Sequence, residues 1–479
     1  MKRITGLAFL FIALIFWQGC ELEDPSQPSL NIQQNQLILS KMVAIGNSLT
    51  AGFQSAGMVE DFQLNSFPYR IAQQMGAGAS FQQPLIAAPG IGSTAGKTPL
   101  KFVNGALVAD DLTVSPLTLL KNARLPRPYD NLGVPGATLN DAISATSAQT
   151  SQSGSNSFFD IVLRNPNFGN TTQVQQAIML NPTLILLWLG NNDVLGAATA
   201  GGALERITPQ SDFTAQMTTL LTELRQKTRA AIVMANIPYV TDIPFINTLD
   251  LIFRPVPALG ISTPVPVVFD ATFQPVDFGG GLYLPLLTEE QGVTHLTIPA
   301  LSAYQAGLGV PNAAALMAMG FADTTAAALE QGMIAAGLTP TGQPIPGTMS
   351  LTADESATIR AAVDGYNATI AALAQQFQVP VVDANTMLNQ LNSNGLDGYS
   401  GRFVLLDPAN TAFSLDGVHP NNGGYAIIAN AFIEVINTAF QLNIPKLNTA
   451  DYKGQYVSQA QKMSWGITSE IADQVRAIF

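Results

Sequence analysis

Cysteine, histidine and charge are what this chain of 479 residues has least of. Its single cysteine, Cys20, excludes an intrachain disulfide and any metal site built from several thiolates. It has 2 histidines, His295 and His419, so a reaction that needs imidazole can draw on only these, and they lack the spacing of a metal-ligand pair. Charged residues are 11% of the chain, against roughly 25% in an average globular protein, and solubility falls to Asn, Gln, Ser and Thr. The 21 basic residues are outnumbered by 33 acidic ones, for a net charge of −12. There is no basic stripe or Arg/Lys cluster, and the negative field speaks against nucleic acid as a partner. Hydrophobic content of 47% is ordinary, which argues against overall disorder. The length exceeds one ordinary core at roughly 150 residues per domain.

Lys2 and Arg3 precede an apolar run, Leu7–Trp17, and Gly19 stands just before Cys20. A positive start, a short greasy core and a small residue at the cut make residues 1–19 an export signal. The run is well short of the ~20 residues that span a bilayer. A buried core helix is the alternative, and the N-terminal position and flanking charges argue against it. The Gly19-Cys20 junction resembles a bacterial lipoprotein signal, although Trp17 departs from the usual aliphatic residue three before the cysteine. That resemblance implies acylation of Cys20 and a membrane anchor through it, in which each buried CH₂ contributes ~0.8 kcal/mol. The acidic stretch Glu21-Leu22-Glu23-Asp24 resembles the surface-export signals of some Bacteroidetes lipoproteins. The expectation is an exported protein of the bacterial cell envelope, an outer-membrane lipoprotein exposed at the surface. Residues 20–40 are polar and read as a tether.

Met42–Gly52, M-V-A-I-G-N-S-L-T-A-G, is the stretch around which the rest of the chain is organised. Met42–Ile45 reads as a buried strand that turns at Gly46-Asn47 and presents Ser48. In open α/β sheets, ligands bind in the crevice beyond the strand ends. A serine there is a candidate nucleophile, and it needs a base, an orienting acid and oxyanion donors. Phe67–Met75 reads as a short helix, and residues 76–128 as long loops. Within those loops Gly90-Ile91-Gly92-Ser93-Thr94-Ala95 fits a dinucleotide pattern, but Pro84 and Pro89 interrupt the strand that should precede it, so a glycine-rich loop is the better reading. Asn131–Thr138 is a short strand ending in a Gly turn, and Gln173–Leu180 is a helix stopped by Asn181-Pro182. Thr183–Leu189 is a continuous apolar strand of the doubly buried kind, and it empties into Gly190-Asn191-Asn192-Asp193. Phe213, Met217, Leu220 and Leu224 are at helical spacing, and Ala230–Asn236 is another buried strand. This alternation argues for a parallel sheet covered by helices on both faces, a three-layer α/β sandwich.

From 241 to 350 prolines recur between apolar clusters, and Asn312–Met319 and Thr325–Ala336 read as Ala-rich helices. The segment is too long and apolar for a plain loop and reads as an insertion subdomain. The α/β rhythm resumes over 351–445 with the capping box of Thr352 and Glu355, a helical stripe through Ile359, Val363, Tyr366, Ile370 and Phe377, a strand at Val379–Val382, and, after a loop, a helix at Tyr425–Phe440. Residues 446–479 form a tail with a polar start and an amphipathic end.

Ser414–Gly424, S-L-D-G-V-H-P-N-N-G-G, puts Asp416 and His419 three apart in one loop. A carboxylate so placed can accept the imidazole Nδ1 hydrogen and stabilise the imidazolium that forms when His419 takes a serine proton. A helix-capping turn with an exposed histidine is the bland alternative. Oxyanion donors are available from the Ser48 N–H, the Gly136 N–H and the Asn192 side-chain amide, each of a kind worth roughly 3–4 kcal/mol of barrier. Plain turns would also explain Gly136 and Gly190–Asp193. His295 has no nucleophile motif nearby and reads as structural or exposed. Asp193 has no obvious companion ligands for a metal.

In order, G-N-S-L at 46–49, a Gly turn at 136, G-N-N-D at 190–193 and D-x-x-H-P at 416–420 resemble the SGNH/GDSL hydrolase family, over about 41–240 and 350–440. The resemblance implies a flavodoxin-like sandwich with a mostly parallel central sheet, the large insertion being extra. It implies Ser48 as nucleophile, Asp416 and His419 as its partners, and Ser48, Gly136 and Asn192 as the oxyanion hole. Asn47 stands where the family has an acidic residue. The absence of G-x-S-x-G argues against an ordinary α/β-hydrolase elbow. The function implied is an esterase or lipase acting on carboxylic esters, with no metal or organic cofactor, an ester of a lipid, small molecule or glycan as substrate, and the membrane as a partner through Cys20. The apolar insertion suggests an acyl site or lid. Two alternatives stay open: a carbohydrate O-acetyl esterase, and a surface-anchored protein that keeps the fold but only binds a glycan or lipid. Loss of any of the Ser, Asn, Asp or His residues would favour the second, and the complete set speaks against it. An interaction scaffold in an envelope complex is a third possibility.

Overall fold

Five short strands lie side by side in one parallel sheet: β1 (Met42–Gly46), β2 (Asn131–Gly133), β3 (Leu184–Trp188), β4 (Ala231–Ala235) and β5 (Val381–Val382). Their spatial order is β5-β4-β3-β1-β2, the flavodoxin-like arrangement, in which the chain leaves β1 toward one edge and returns toward the other. The computed structural model describes residues 37–103, 106–249, 251–270, 273–456 and 476–477. The expected signal over 1–19, Cys20, most of the expected tether and much of the tail lie outside them.

The continuous apolar runs form the central strands because both faces of the sheet are covered. Every residue of β1 and β3 is buried. Alternation then sorts the side chains into two cores. Val43, Ile45, Ile185, Leu187, Ile232 and Met234 face one layer, and Met42, Ala44, Leu184, Leu186, Val233 and Val382 face the other. Register sets the strand ends flush: Gly46 lies between Gly133 on β2 and Trp188 on β3. The three segments that follow these residues therefore start next to one another at the carboxyl edge of the sheet, at its topological switch point.

In chain order the helices that matter are α1 (Ser48–Ala51), α2 (Phe67–Gln74), α3 (Gln173–Met179), α4 (Asn192–Thr199), α5 (Gln210–Lys227), α6 (Ala353–Phe377), α7 (Ala384–Ser393) and α8 (Asn422–Phe440). Helices α2 and α8 cover one face, with Phe67 stacked on Phe432 at 4.7 Å. The other face is covered by α3, α5 and α6, whose buried stripe Ile359, Val363, Tyr366 and Ile370 is the one read from the sequence. Thr352 and Glu355 form the expected capping box of α6. Helix α8 is long and apolar enough to cross a membrane, yet Tyr425, Phe432, Ile433 and Ile436 are buried against the sheet, as in a core helix. It begins at Asn422, ahead of the expected Tyr425, because Asn421 Oδ1 accepts the Gly423 and Gly424 N–H groups at 2.9 and 3.0 Å. Helix α7 lies in a stretch that the sequence presents as loop. Its polar residues give it weak helical signal, and Asp383 caps it through Oδ1 to the Thr386 N–H at 3.0 Å.

Between β4 and α6 the chain makes a hairpin (Phe253–Val256 with Ile261–Pro266), a ribbon (Val293–Leu296 with Ser350–Thr352) and helices Ile298–Gln305, Ala313–Ala318 and Asp323–Ala335. The buried Val268, Leu286, Leu296 and Leu301 belong to the same apolar cluster as α6 and one face of the sheet. Ile91–Gly92, inside the glycine-rich stretch, pairs with Gly57–Met58.

Candidate active site

Ser48 is the first residue of α1 and is 2% exposed. The helix folds back so tightly on β1 that a Cβ on Gly46 would stand 1.9 Å from Thr50 Oγ1 and 2.8 Å from the Trp188 carbonyl. Only glycine fits there. Asn47 Oδ1 accepts the Leu49 N–H at 3.1 Å, and Asn47 Nδ2 donates to Asn191 Oδ1 at 3.2 Å. An aspartate could make the first bond but has no donor for the second. Asn47 thus ties the serine turn to the turn after β3.

His419 arrives from the other end of the chain. Its Nε2 lies 2.9 Å from Ser48 Oγ, and its Nδ1 lies 2.9 Å from Asp416 Oδ2. Asp416 and His419 are 1% and 2% exposed, so the exposed-histidine alternative fails. With Nδ1–H donating to the carboxylate, Nε2 is left as the acceptor that faces the serine hydroxyl. The Phe53 ring packs 4.8 Å from the imidazole. Asp416 Oδ1 accepts the N–H groups of Val418 at 2.9 Å and His419 at 2.8 Å, and the Ser414 hydroxyl at 3.1 Å. Burial alone would push the carboxyl up. The charge and hydrogen bonds of His419, with the Ala56 N–H, outweigh it and hold Asp416 below the ordinary carboxylate range. The loop is braced from behind by the segment after β4, where the Phe245 N–H donates to the Gly417 carbonyl at 2.9 Å.

A second brace has no signal in the sequence. Ser55 and Ala56 both adopt left-handed backbone, with φ of 52° and 54°. This aims consecutive N–H groups at Ser414 Oγ, at 2.9 Å, and at Asp416 Oδ2, at 2.7 Å. Successive N–H groups in such a turn form a nest for a negative group. Non-glycine residues adopt this conformation at a cost of about 1–2 kcal/mol each, so no residue type announces it. The buried Tyr456, from the tail, hydrogen-bonds the Ser55 side chain.

Asn192 is the first residue of α4, and its Nδ2 donates to the Ala137 carbonyl at 2.9 Å. A primary amide carries two N–H groups, so one remains to serve a ligand. Gly136 occupies the turn after β2 with φ of 77°, one residue before that carbonyl. The same two turns are joined by Asp193, whose Oδ2 accepts the Leu139 N–H and Oδ1 the Thr208 hydroxyl, both at 2.9 Å. Burial pushes the Asp193 carboxyl up to about 6. Its oxygens are engaged in this stitch, and among the described residues no group of three His, Cys, Asp or Glu is placed to hold a metal. His295 lies in the ribbon after β4, with Nδ1 2.9 Å from Thr294 Oγ1, and does not line the cavity beside Ser48.

Ser48, Asn192 and His419 share one cavity of about 100 Å³ that is partly open to solvent. Gly136 is not among its lining residues. The walls are apolar and come from α4, the turn after β4, α7, α8 and the His419 loop. Among the described residues of the 241–350 segment, only Ile243 reaches it. The expectation that this segment builds the apolar site is therefore corrected: its apolar residues are spent on packing against α6 and the sheet, and α7 builds the wall instead.

The family model for GDSL-like lipase/acylhydrolase matches residues 42–273 and 297–432, well over half of the chain. The two spans include β1 to β5 and every residue of the Ser48, Asn192, Asp416 and His419 constellation. No curated protein matches the chain.

Proposed function

The chain belongs to the GDSL-like lipase/acylhydrolase family, and on that premise we propose that it hydrolyses carboxylic esters through an acyl-enzyme on Ser48. The observation that carries this reading is the unbroken line from Ser48 Oγ through the imidazole to Asp416 Oδ2, with both heavy-atom gaps at 2.9 Å. Ser48 Oγ attacks the ester carbonyl while His419 Nε2 takes its proton. Asp416 keeps the ring in its acceptor tautomer and balances the imidazolium. The Ser48 N–H and the second amide hydrogen of Asn192 receive the oxyanion, and the family resemblance assigns a third donor to the Gly136 N–H, although Gly136 does not line the cavity. The C–O bond to the alcohol breaks as Nε2 returns the proton to it. Water then attacks the acyl-enzyme, again giving its proton to Nε2, and the acid leaves with Ser48 regenerated.

The lipoprotein reading of the N-terminus completes the proposal: export, acylation of Cys20, and anchoring of the enzyme to the bacterial outer membrane, exposed at the surface. The sequence Leu7–Cys20 supports it. Growth with a labelled fatty acid should label the protein and not its Cys20→Ala variant. For the enzyme, the test is p-nitrophenyl butyrate hydrolysis by wild type and Ser48→Ala. Turnover by the first alone supports the reading, and equal background rates from two folded proteins count against it.

A further inference from the structure

We propose that the cavity beside Ser48 is an acyl-chain slot, that the natural substrate is an ester of a linear aliphatic acid of six or more carbons, and that α7 sets the length it accepts. This rests on the esterase reading of the same site and narrows it to a substrate class.

The first observation is how polarity is distributed. The polar side chains that line the cavity, Asn47, Ser48, Asn191, Asn192 and His419, belong to the reacting end. Asn47 donates to Asn191 Oδ1, which ties these two side chains together at the same end of the cavity as the serine, the Asn192 amide and the imidazole. The remaining lining is apolar. A sugar hydroxyl placed there would lose its water and find no partner, whereas methylene groups lose nothing by entering.

The second observation is where the wall comes from. Met387, Leu388 and Leu391 fall at i, i+1 and i+4 on α7 and present one apolar edge to the cavity. Leu195, one turn beyond Asn192 on α4, and Ile243 also line it. Leu388 and Leu391 are each 8% exposed, and Leu195 and Ile243 are each 6% exposed, so little of this apolar wall meets bulk water although the cavity itself opens to solvent.

Two parts of an ester could fill such a slot. The alcohol must leave before water can reach the acyl-enzyme, which suits an open exit. The acyl chain stays covalently attached to Ser48 Oγ through both halves of the reaction. An apolar slot beside the oxyanion donors therefore fits the acyl chain. Each methylene moved from water into it should raise kcat/KM about fourfold until the slot is full.

The test is kcat/KM of the purified full-length protein on p-nitrophenyl acetate, butyrate, hexanoate, octanoate and palmitate, beside alkyl acetates from ethyl to octyl. Hexanoate should exceed acetate at least fifty-fold. In Leu391→Trp or Met387→Trp the hexanoate-to-acetate ratio should fall at least tenfold. A Ser48-dependent rate that is flat or falls from acetate onward overturns the slot and leaves the esterase reading intact. A rise confined to the alkyl acetate series overturns the assignment to the acyl side. Calorimetry with octanoate on Ser48→Ala provides a readout independent of turnover. Binding that weakens at least tenfold on adding Leu391→Trp supports the slot even if no tested ester is cleaved. No octanoate binding to a folded protein overturns it.

Discussion

The Ala56 N–H donates to Asp416 Oδ2 over 2.7 Å, joining positions 360 residues apart at the oxygen that also receives His419 Nδ1–H. The turn after the serine helix thus holds the carboxylate that orients the base for that serine. Placement of the nucleophile and placement of its base are one structural problem in this chain, solved by the short span Ser48–Ala56 meeting the loop Ser414–His419.

Ser414 is the clearest probe of that junction, since its hydroxyl accepts the Ser55 N–H at 2.9 Å and donates to Asp416 Oδ1 at 3.1 Å. Ser414→Ala leaves a buried N–H without its acceptor. Urea unfolding should show a loss of about 1–3 kcal/mol, and kcat/KM for a p-nitrophenyl ester should fall about tenfold. A stability loss with no change in rate would mean that the Asp416–His419 loop sets its own geometry.

Asp416→Asn should lower kcat by about four orders of magnitude if the residue fixes the tautomer of His419. The folded carboxyl sits below its ordinary value of 3.8, so its stabilising contribution is complete above that value and is lost as pH falls through the lower, folded one. Acid unfolding below about pH 4 should therefore be less steep in Asp416→Asn than in wild type.

Asp193 has the opposite sign. Its carboxyl rises from 3.8 to about 6 on folding, so the folded protein holds a proton that the unfolded chain has already released. Stability that is present below pH 4 is lost as pH rises to about 6, by roughly 3 kcal/mol. Asp193→Asn should remove this slope between pH 4 and pH 6. Urea midpoints at pH 4, 5, 6 and 7 for the two proteins measure it, and parallel curves would contradict it.

Asn192→Ala removes the amide that keeps one hydrogen beyond its bond to Ala137. It should cost about 10²–10³ in kcat with a much smaller change in KM, because the oxyanion exists only in the transition state and the intermediates. A change confined to KM would make Asn192 a substrate-binding group instead.

Much of this was legible in the sequence, and for identifiable reasons. Strands β1 and β3 are uninterrupted apolar runs that only a doubly covered sheet can bury, and α6 carries both its cap and its stripe. Ser48, Asn192, Asp416 and His419 stand in short blocks that keep recognisable neighbours. What was not legible depends on tertiary context. Nothing in Ser55-Ala56 announces left-handed backbone, because that conformation is held by Ser414 and Asp416 from the far end of the chain. Helix α7 hides Met387, Leu388 and Leu391 among Asn, Gln and Ser residues that favour caps and turns. The 241–350 segment misled for the converse reason: apolar clusters show that something is buried, without showing against what.

The central claim is that Ser48 is a nucleophile activated by His419, and trapping it tests this most directly. The full-length protein would be treated with an alkyl fluorophosphonate, and the modified peptide located by mass spectrometry. The account predicts one stoichiometric adduct on Ser48, abolished in His419→Ala. An adduct on another residue, or equally fast labelling of Ser48 in His419→Ala, would contradict it.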